Sequence, residues 1–185
     1  MDEKRDPMAE ERDKWRNFPR ERPAVIQTPG PGQESVWDYP RPPRIERVQQ
    51  RVRVEFAGIN VADTTRAWRV CETSSPPVYY LPLEDIKTEF LEVEPDSSFC
   101  EWKGSATYWT VRVGNRVAKK GAWSYEMPDE GYEALTGHLA FYAGKMDACY
   151  VGEQLVTPQP GEYYGGWITP NIVGPFKGIP GSSRW

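Results

Sequence analysis

Short stretches in which apolar and polar residues alternate are the feature that most constrains the fold of this chain. In residues 51–57, Val52, Val54 and Phe56 alternate with charged residues. This is the pattern of a strand with one buried and one solvent-facing side. Similar runs recur between glycine-containing turns, so the sequence predicts a single, mainly β domain of antiparallel strands. The predicted strands are residues 51–57, 59–62, 67–72, 78–81, 98–103, 106–113, 116–125, 139–142, 147–151 and 154–157.

Helix is predicted only in short segments. Residues 83–91 follow Pro82 and residues 129–137 follow Pro128. Proline suits the first turn of a helix, because the N–H that it lacks has no partner within the helix there. A further short helix is predicted over residues 7–15, where acidic residues follow a proline. The fold class is therefore mainly β, with one or two short helices and extended terminal arms.

Composition divides the chain into three predicted parts. Residues 1–43 form an N-terminal arm, since 14 of the first 22 residues are charged and eight of the 18 prolines precede Arg44. This arm is either a solvated tail or docked on the domain, and its aromatic residues favour docking. Residues 44–157 form the β domain. Residues 158–185 are rich in glycine, proline and aromatic residues, which predicts a tail packed on the domain.

Charge and hydropathy exclude several classes of function. The net charge of −4 offers no basic surface for nucleic acid. The longest apolar runs, such as residues 139–143, are far shorter than a membrane span, and the charged N-terminus does not resemble a signal peptide. We therefore expect a cytoplasmic protein without nucleic-acid or membrane partners. Cys71, Cys100, Cys149 and the lone His138 lack the spacing of a zinc site, so no metal or other cofactor is expected.

Residues 99–109 gather a thiol, an amine and four aromatic rings around a glycine. A cation beside a thiol favours the nucleophilic thiolate, and Lys103 is the cation nearest to Cys100 in the sequence. If residues 98–103 form a strand, these two side chains point to opposite faces. They share a face only if Gly104 interrupts the regular strand.

Several motifs along residues 45–157 occur together in the order of one known family. They are Val61-Ala62-Asp63-Thr64, Arg69-Val70-Cys71-Glu72, Pro77-Val78-Tyr79-Tyr80-Leu81-Pro82-Leu83-Glu84-Asp85, Cys100-Glu101-Trp102-Lys103-Gly104, Tyr108-Trp109, Ala122-Trp123-Ser124-Tyr125 and Ala140-Phe141-Tyr142. Together they resemble the family catalogued as domain of unknown function 427, sometimes labelled nucleotidyltransferase-like. The resemblance covers about 60% of the chain.

The resemblance implies a β-tent fold, akin to small zinc-holding folds but without the metal ligands, and it implies no established reaction. The segments around Trp37 and around residues 164–178 resemble the extensions of cyanobacterial members. Nucleotidyl transfer would need clustered carboxylates and a phosphate-binding loop, and the sequence has neither pattern. Relatives often carry histidine just before the double proline, where this chain reads Ser74-Ser75-Pro76-Pro77, so a possible general base of the family is missing here.

The candidate catalytic residues are the titratable groups within these motifs, Glu72, Asp85, Cys100 and Lys103. Candidate ligand-binding residues are Tyr80 and Tyr108, together with Lys103 and Glu72, because a phenol carries a hydrogen-bonding end that needs a partner. The alternative is that Lys103 pairs with Glu72 or Asp85 as a buried ion pair and that Cys100 is inert packing. Alternate strand positions send some rings to the core, which is the better expectation for Trp109 and Trp123.

Two functions are compatible with these patterns. The first, which we favour, is a domain that binds a small molecule in an aromatic-lined cleft, with the reaction left open. The second is a non-catalytic structural or protein-interaction module whose aromatic arms face a partner or a second copy in a homodimer.

Overall fold

The computed structural model describes residues 8–185 and is mainly β. Within those residues lie one α-helix, α1 (Ala9–Arg16), and fifteen strands. The strands are β1 (Glu34–Ser35), β2 (Arg44–Arg47), β3 (Val52–Phe56), β4 (Ile59–Thr64), β5 (Trp68–Cys71), β6 (Val78–Pro82), β7 (Leu91–Cys100), β8 (Gly104–Val113), β9 (Arg116–Ser124), β10 (His138–Phe141), β11 (Ala148–Val151), β12 (Gln154–Leu155), β13 (Thr157–Pro158), β14 (Trp167–Ile168) and β15 (Ile172–Val173).

Two antiparallel sheets form the body of the molecule. The larger has seven strands in the order β2-β5-β6-β10-β9-β8-β7, and the smaller has four in the order β12-β11-β3-β4. The main hydrophobic core lies between them, where Val52 and Val54 of the small sheet pack with Leu81 and Leu139 of the large one. The predicted antiparallel β architecture is confirmed. The two sheets pack face to face because a sheet with one apolar side must cover that side with a second layer.

The large sheet buries both of its faces. Along β6, Tyr79 and Leu81 point into the main core, whereas Tyr80 between them points to the opposite face. That outer face carries a second hydrophobic cluster, which includes Trp123 and Leu135. The period of two along a strand separates the two faces, and the outer face is the one that holds the candidate site.

The two predicted helices within the domain are instead isolated 3₁₀ turns. Residues 83–91 contain turns at Leu83–Asp85 and Thr88–Phe90, and residues 129–137 contain one at Glu133–Leu135. Short helices are marginal on their own, and here the backbone finds partners elsewhere: the Leu83 N–H donates to the Gly137 carbonyl at 2.9 Å. The helix predicted over residues 7–15 corresponds to α1, although Pro7 lies outside the described residues.

The strand predicted over residues 98–103 was wrong at both ends. β7 begins at Leu91, and its first half was missed because Pro95 and several acidic residues are unusual in a strand. They are tolerated here because β7 is the edge strand of the large sheet. At its other end β7 stops at Cys100, and residues 101–103 form the turn into β8.

The two terminal segments contact each other along one side of the body. β1 and β15 form a parallel pair in which Glu34 is opposite Ile172, and the Trp37 indole N–H donates to the Pro175 carbonyl at 2.9 Å. Trp167 of the C-terminal segment is fully buried in the main core. The division of the chain into an arm, a β domain and a tail at residues 43 and 157 stays a prediction.

No helix within residues 8–185 has both the length and the apolar character needed to cross a membrane.

Candidate functional site

The floor of the candidate site is a row of side chains that crosses four neighbouring strands. Tyr80 of β6 is paired with Ala140 of β10, Ala140 with Trp123 of β9, and Trp123 with Tyr108 of β8. Directly paired residues in antiparallel strands point to the same face, so all four lie on the outer face of the large sheet. Ala140 is fully buried, and the Tyr80 and Trp123 rings on either side of it meet edge-on, with 6.3 Å between ring centres.

Above this floor lies a cleft of about 410 Å³. Its walls come from distant parts of the chain, since Trp15 and Phe18 belong to the N-terminal segment and Tyr163 and Tyr164 to the C-terminal segment. Ten of the 25 lining residues are aromatic, which matches the mainly apolar lining of small-molecule sites. The aromatic lining residues are Trp15, Phe18, Tyr80, Phe99, Tyr108, Trp123, Tyr125, Tyr142, Tyr163 and Tyr164.

A tight hairpin turn brings Cys100 and Lys103 to the same cleft. Cys100 is paired with Gly104 at the end of β7, and Gly104 has a φ of +88°, a backbone conformation that favours glycine. The Lys103 carbonyl accepts a hydrogen bond from the Asp129 N–H at 3.1 Å, which fixes the turn from outside the hairpin. Because β7 ends at Cys100 and Lys103 lies in the turn, strand alternation does not separate the two side chains, and both line the cleft.

Lys103 is a buried cation at the inner end of the cleft. Lys103 is only 8% exposed, and its Nζ lies 5.7 Å from the centre of the Tyr125 ring. Among residues 8–185 no carboxylate is within ion-pair distance of this amine. Burial by itself lowers the pKa of Lys103, but interactions with Cys100, Tyr80 and Glu72 outweigh that effect and raise the pKa overall. The amine is therefore protonated at neutral pH.

The tyrosines near Lys103 stay in their neutral form. Burial raises the pKa of Tyr80 to about 12 and raises that of Tyr125 well above its usual value. A protonated phenol is a hydrogen-bond donor, and both tyrosines line the same cleft as Lys103.

The two candidate carboxylates are held by arginines instead of Lys103. Glu72 lines the cleft, and its carboxylate accepts a hydrogen bond from Arg41 Nε at 3.0 Å. Asp85 lies away from the cleft, where it accepts hydrogen bonds from Arg66 at 2.8 Å and from the Thr64 hydroxyl at 2.6 Å. The hydrogen bond from Arg66 is the main cause that lowers the pKa of Asp85. The structure thus brings together Glu72, Cys100 and Lys103 and separates Asp85 from them.

Asp85 was expected near Lys103 because both lie in motifs of the same family. Its position follows from β4, since the Ile86 backbone bridges to Ala62 and turns the Leu83–Asp85 segment toward that strand. The expected buried ion pair of Lys103 with Glu72 or Asp85 is absent from the described residues.

Sequence reasoning missed the aromatic residues that cover the cleft from the C-terminal side. Tyr142, Tyr163 and Tyr164 line it, and the Tyr142 ring centre lies 4.4 Å from that of Trp123. The signal in the sequence is Gly165, because a Cβ at this position would lie 2.1 Å from the Trp123 ring. Only glycine allows the backbone to pass this close to an indole.

The N-terminal segment covers the other side of the cleft and contacts the hairpin turn between β7 and β8. Arg20 forms an ion pair with Glu101 at 3.1 Å, and Arg16 Nε donates to the Glu101 carbonyl at 2.9 Å. Arg12 forms an ion pair with Asp129 at 2.7 Å, next to the backbone that supports Lys103. The turn that carries Lys103 is therefore held between the body and this segment.

Of the three free cysteines, only Cys100 faces the cleft. Cys71 and Cys149 are at most 1% exposed, and burial raises the pKa of Cys71 to about 12 and also raises the pKa of Cys149. Thiols that are buried and protonated are inert toward alkylation.

We therefore expect iodoacetamide to modify Cys100 in the native protein and to leave Cys71 and Cys149 unmodified. Mass spectrometry of peptides after timed alkylation measures this, and the Cys100→Ser variant serves as the control that takes up no label. Rapid modification of Cys71 or Cys149 without denaturant would contradict the burial described here.

Within the described part of the chain, no group of three or more histidine, cysteine, aspartate or glutamate side chains is arranged to hold a metal ion.

Comparison with known proteins identifies one family. The family model described as a domain of unknown function (DUF427) matches residues 44–152, which is more than half of the chain and includes the hairpin turn with Lys103. A search of curated proteins found no match.

Proposed function

The chain belongs to the family described as domain of unknown function (DUF427), and we propose that it binds a small molecule in the aromatic-lined cleft. The observation that carries this proposal is Lys103. A protonated amine that is buried without a carboxylate partner is costly for a protein to hold. Such groups concentrate at functional sites, where a ligand supplies the missing partner.

The shape of the cleft supports the same function. Its volume of about 410 Å³ falls in the range of small-molecule sites, which join many apolar walls to a few placed polar groups. Here the polar groups are the Lys103 amine, the Cys100 thiol and the hydroxyl groups of Tyr80 and Tyr125. The walls are aromatic rings from the sheet and from both terminal segments.

The alternative function, an interaction module with aromatic arms, has less support. Trp37 and Tyr39 of the arm are each only 4% exposed, and the Trp37 ring packs edge-on against Trp185 at 5.5 Å between ring centres. Rings that are buried against the chain's own residues do not form an open docking surface.

The proposal is tested by a thermal-shift screen of a broad metabolite library against the wild-type protein and two variants. Lys103→Met keeps the length of the side chain and removes its charge, and Lys87→Met makes the same change at an exposed site outside the cleft. We expect compounds that raise the melting temperature of the wild-type and Lys87→Met proteins but not of Lys103→Met. The absence of any stabilising compound, or equal stabilisation of all three proteins, would argue against the proposed cleft.

A further inference from the structure

We infer that the ligand of this cleft is a planar aromatic carboxylate, with its carboxylate at Lys103 Nζ and its ring over the row that joins Tyr80, Trp123 and Tyr108. This inference rests on the proposed function and adds the chemical class of the ligand. Three features of the cleft support it: the positive charge of its lining, the one buried lining cation that lacks a carboxylate partner, and the aromatic side chains of its floor.

The cleft is locally positive in an acidic protein. Its lining contains the cations Arg20, Lys103 and Lys177 and the carboxylates Glu72 and Glu101, whereas the whole chain has a net charge of −4. A site whose charge opposes that of the molecule around it attracts ligands of the opposite sign. An anion is therefore the expected ligand.

The partners of these charges indicate one anionic charge on the ligand. Glu101 is already paired with Arg20, and Glu72 with Arg41. Lys177 donates to the Trp185 carbonyl at 2.8 Å. The buried amine of Lys103 has no carboxylate partner among the described residues, and a single carboxylate on the ligand neutralises it. A phosphate dianion would bring a second charge, for which the remaining lining cation is Lys177, whose ammonium group is already held by the Trp185 carbonyl.

Two donors beside Lys103 suit a carboxylate. A carboxylate accepts several hydrogen bonds through its two oxygens, and hydrogen bonds to an ionised acceptor are stronger than neutral ones. Tyr80 and Tyr125 line the same cleft as Lys103, and burial raises the pKa of both phenols, which keeps them protonated. One oxygen can thus contact the ammonium group while a phenol donates to the carboxylate.

The floor suits a flat ring. Trp123 and Tyr108 are directly paired across β8 and β9, and the Tyr80 ring meets the Trp123 ring edge-on, with 6.3 Å between ring centres. Tyr142 is tilted at 46° to Trp123 and forms a wall beside it. Aromatic rings favour offset-stacked and edge-to-face neighbours, so a planar aromatic body matches this surface better than a flexible aliphatic chain.

Isothermal titration calorimetry with matched probes tests the inference. The probes are benzoate and 2-naphthoate, their uncharged amides, acetate as an anion without a ring, and inorganic phosphate. We expect the aromatic carboxylates to bind the wild-type protein about tenfold or more tightly than their amides, with acetate and phosphate weaker still. Lys103→Met should remove the preference for carboxylate over amide, and Lys87→Met should keep it.

A second measurement uses only the wild-type protein, so it does not depend on the folding of Lys103→Met. Saturating 2-naphthoate should slow the alkylation of Cys100 by iodoacetamide at least severalfold, and the amide at the same concentration should not.

The outcomes separate the two proposals. Amides that bind as tightly as carboxylates, or phosphate that binds more tightly than either, overturn the assignment to an aromatic carboxylate and leave small-molecule binding intact. A library screen that yields only neutral or aliphatic compounds does the same. If no compound of any class binds in the cleft, the proposed function itself fails.

Discussion

Replacement of Trp167 by alanine should lower the free energy of unfolding by about 3–5 kcal/mol. Trp167 is fully buried, and its ring stacks on Tyr79 with 5.1 Å between ring centres. Its indole N–H donates to the Phe141 carbonyl at 2.9 Å. The substitution leaves a large cavity in the main core and removes the donor for that carbonyl.

Chemical denaturation followed by tryptophan fluorescence or circular dichroism measures this loss. Tyr163→Ala is the matched control, because Tyr163 belongs to the same C-terminal segment but is 70% exposed. It should change stability by less than about 0.5 kcal/mol. If Trp167→Ala cost no more than Tyr163→Ala, the C-terminal segment would not be part of the core.

Gly104→Ala should lower the free energy of unfolding by about 2–3 kcal/mol and weaken binding in the cleft. Gly104 has a φ of +88°, which strains any residue with a Cβ. The new Cβ would also lie 2.9 Å from Asp129 Oδ1, a carboxylate that is held by Arg12. Relief of this contact moves the turn that carries Lys103.

Gly131→Ala separates strain from crowding. Gly131 has the same φ of +88°, but a Cβ there would meet nothing within 4 Å. We expect it to cost about 1 kcal/mol and to leave binding of 2-naphthoate unchanged. Comparison of denaturation curves and calorimetric titrations of the two variants provides the measurement, and equal effects would show that the contact with Asp129 does not matter.

Regular strands with one buried side were predictable from the sequence. The alternation in residues 51–57 corresponds to β3 (Val52–Phe56), because every second side chain there packs into the main core. The same reasoning found the strands that supply Tyr80, Tyr108 and Trp123. Local alternation is sufficient where one face is apolar.

Elements whose form depends on distant residues were not predictable. The first half of β7 contains Pro95 and acidic residues, and it is a strand only because β8 pairs with it at the edge of the sheet. The segments predicted as helices form 3₁₀ turns because partners such as the Gly137 carbonyl take their backbone groups. A single sequence does not reveal which distant group will be adjacent.

The candidate site was predictable in part for the same reason. Cys100 and Lys103 are close in sequence, and Gly104 indicated how they reach one cleft. The separation of Asp85 depends on Arg66 and Thr64, and the contribution of Tyr163 depends on how the C-terminal segment crosses the sheet. No local sequence pattern indicates either of these long-range contacts.

A crystal structure of the protein with bound 2-naphthoate would show whether Lys103 holds the carboxylate. We predict that the ligand lies in the cleft, with a carboxylate oxygen about 3 Å from Lys103 Nζ and with the ring system over Trp123 and Tyr108. A ligand bound outside the cleft, or bound in it with the carboxylate directed away from Lys103, would contradict the proposed role of Lys103.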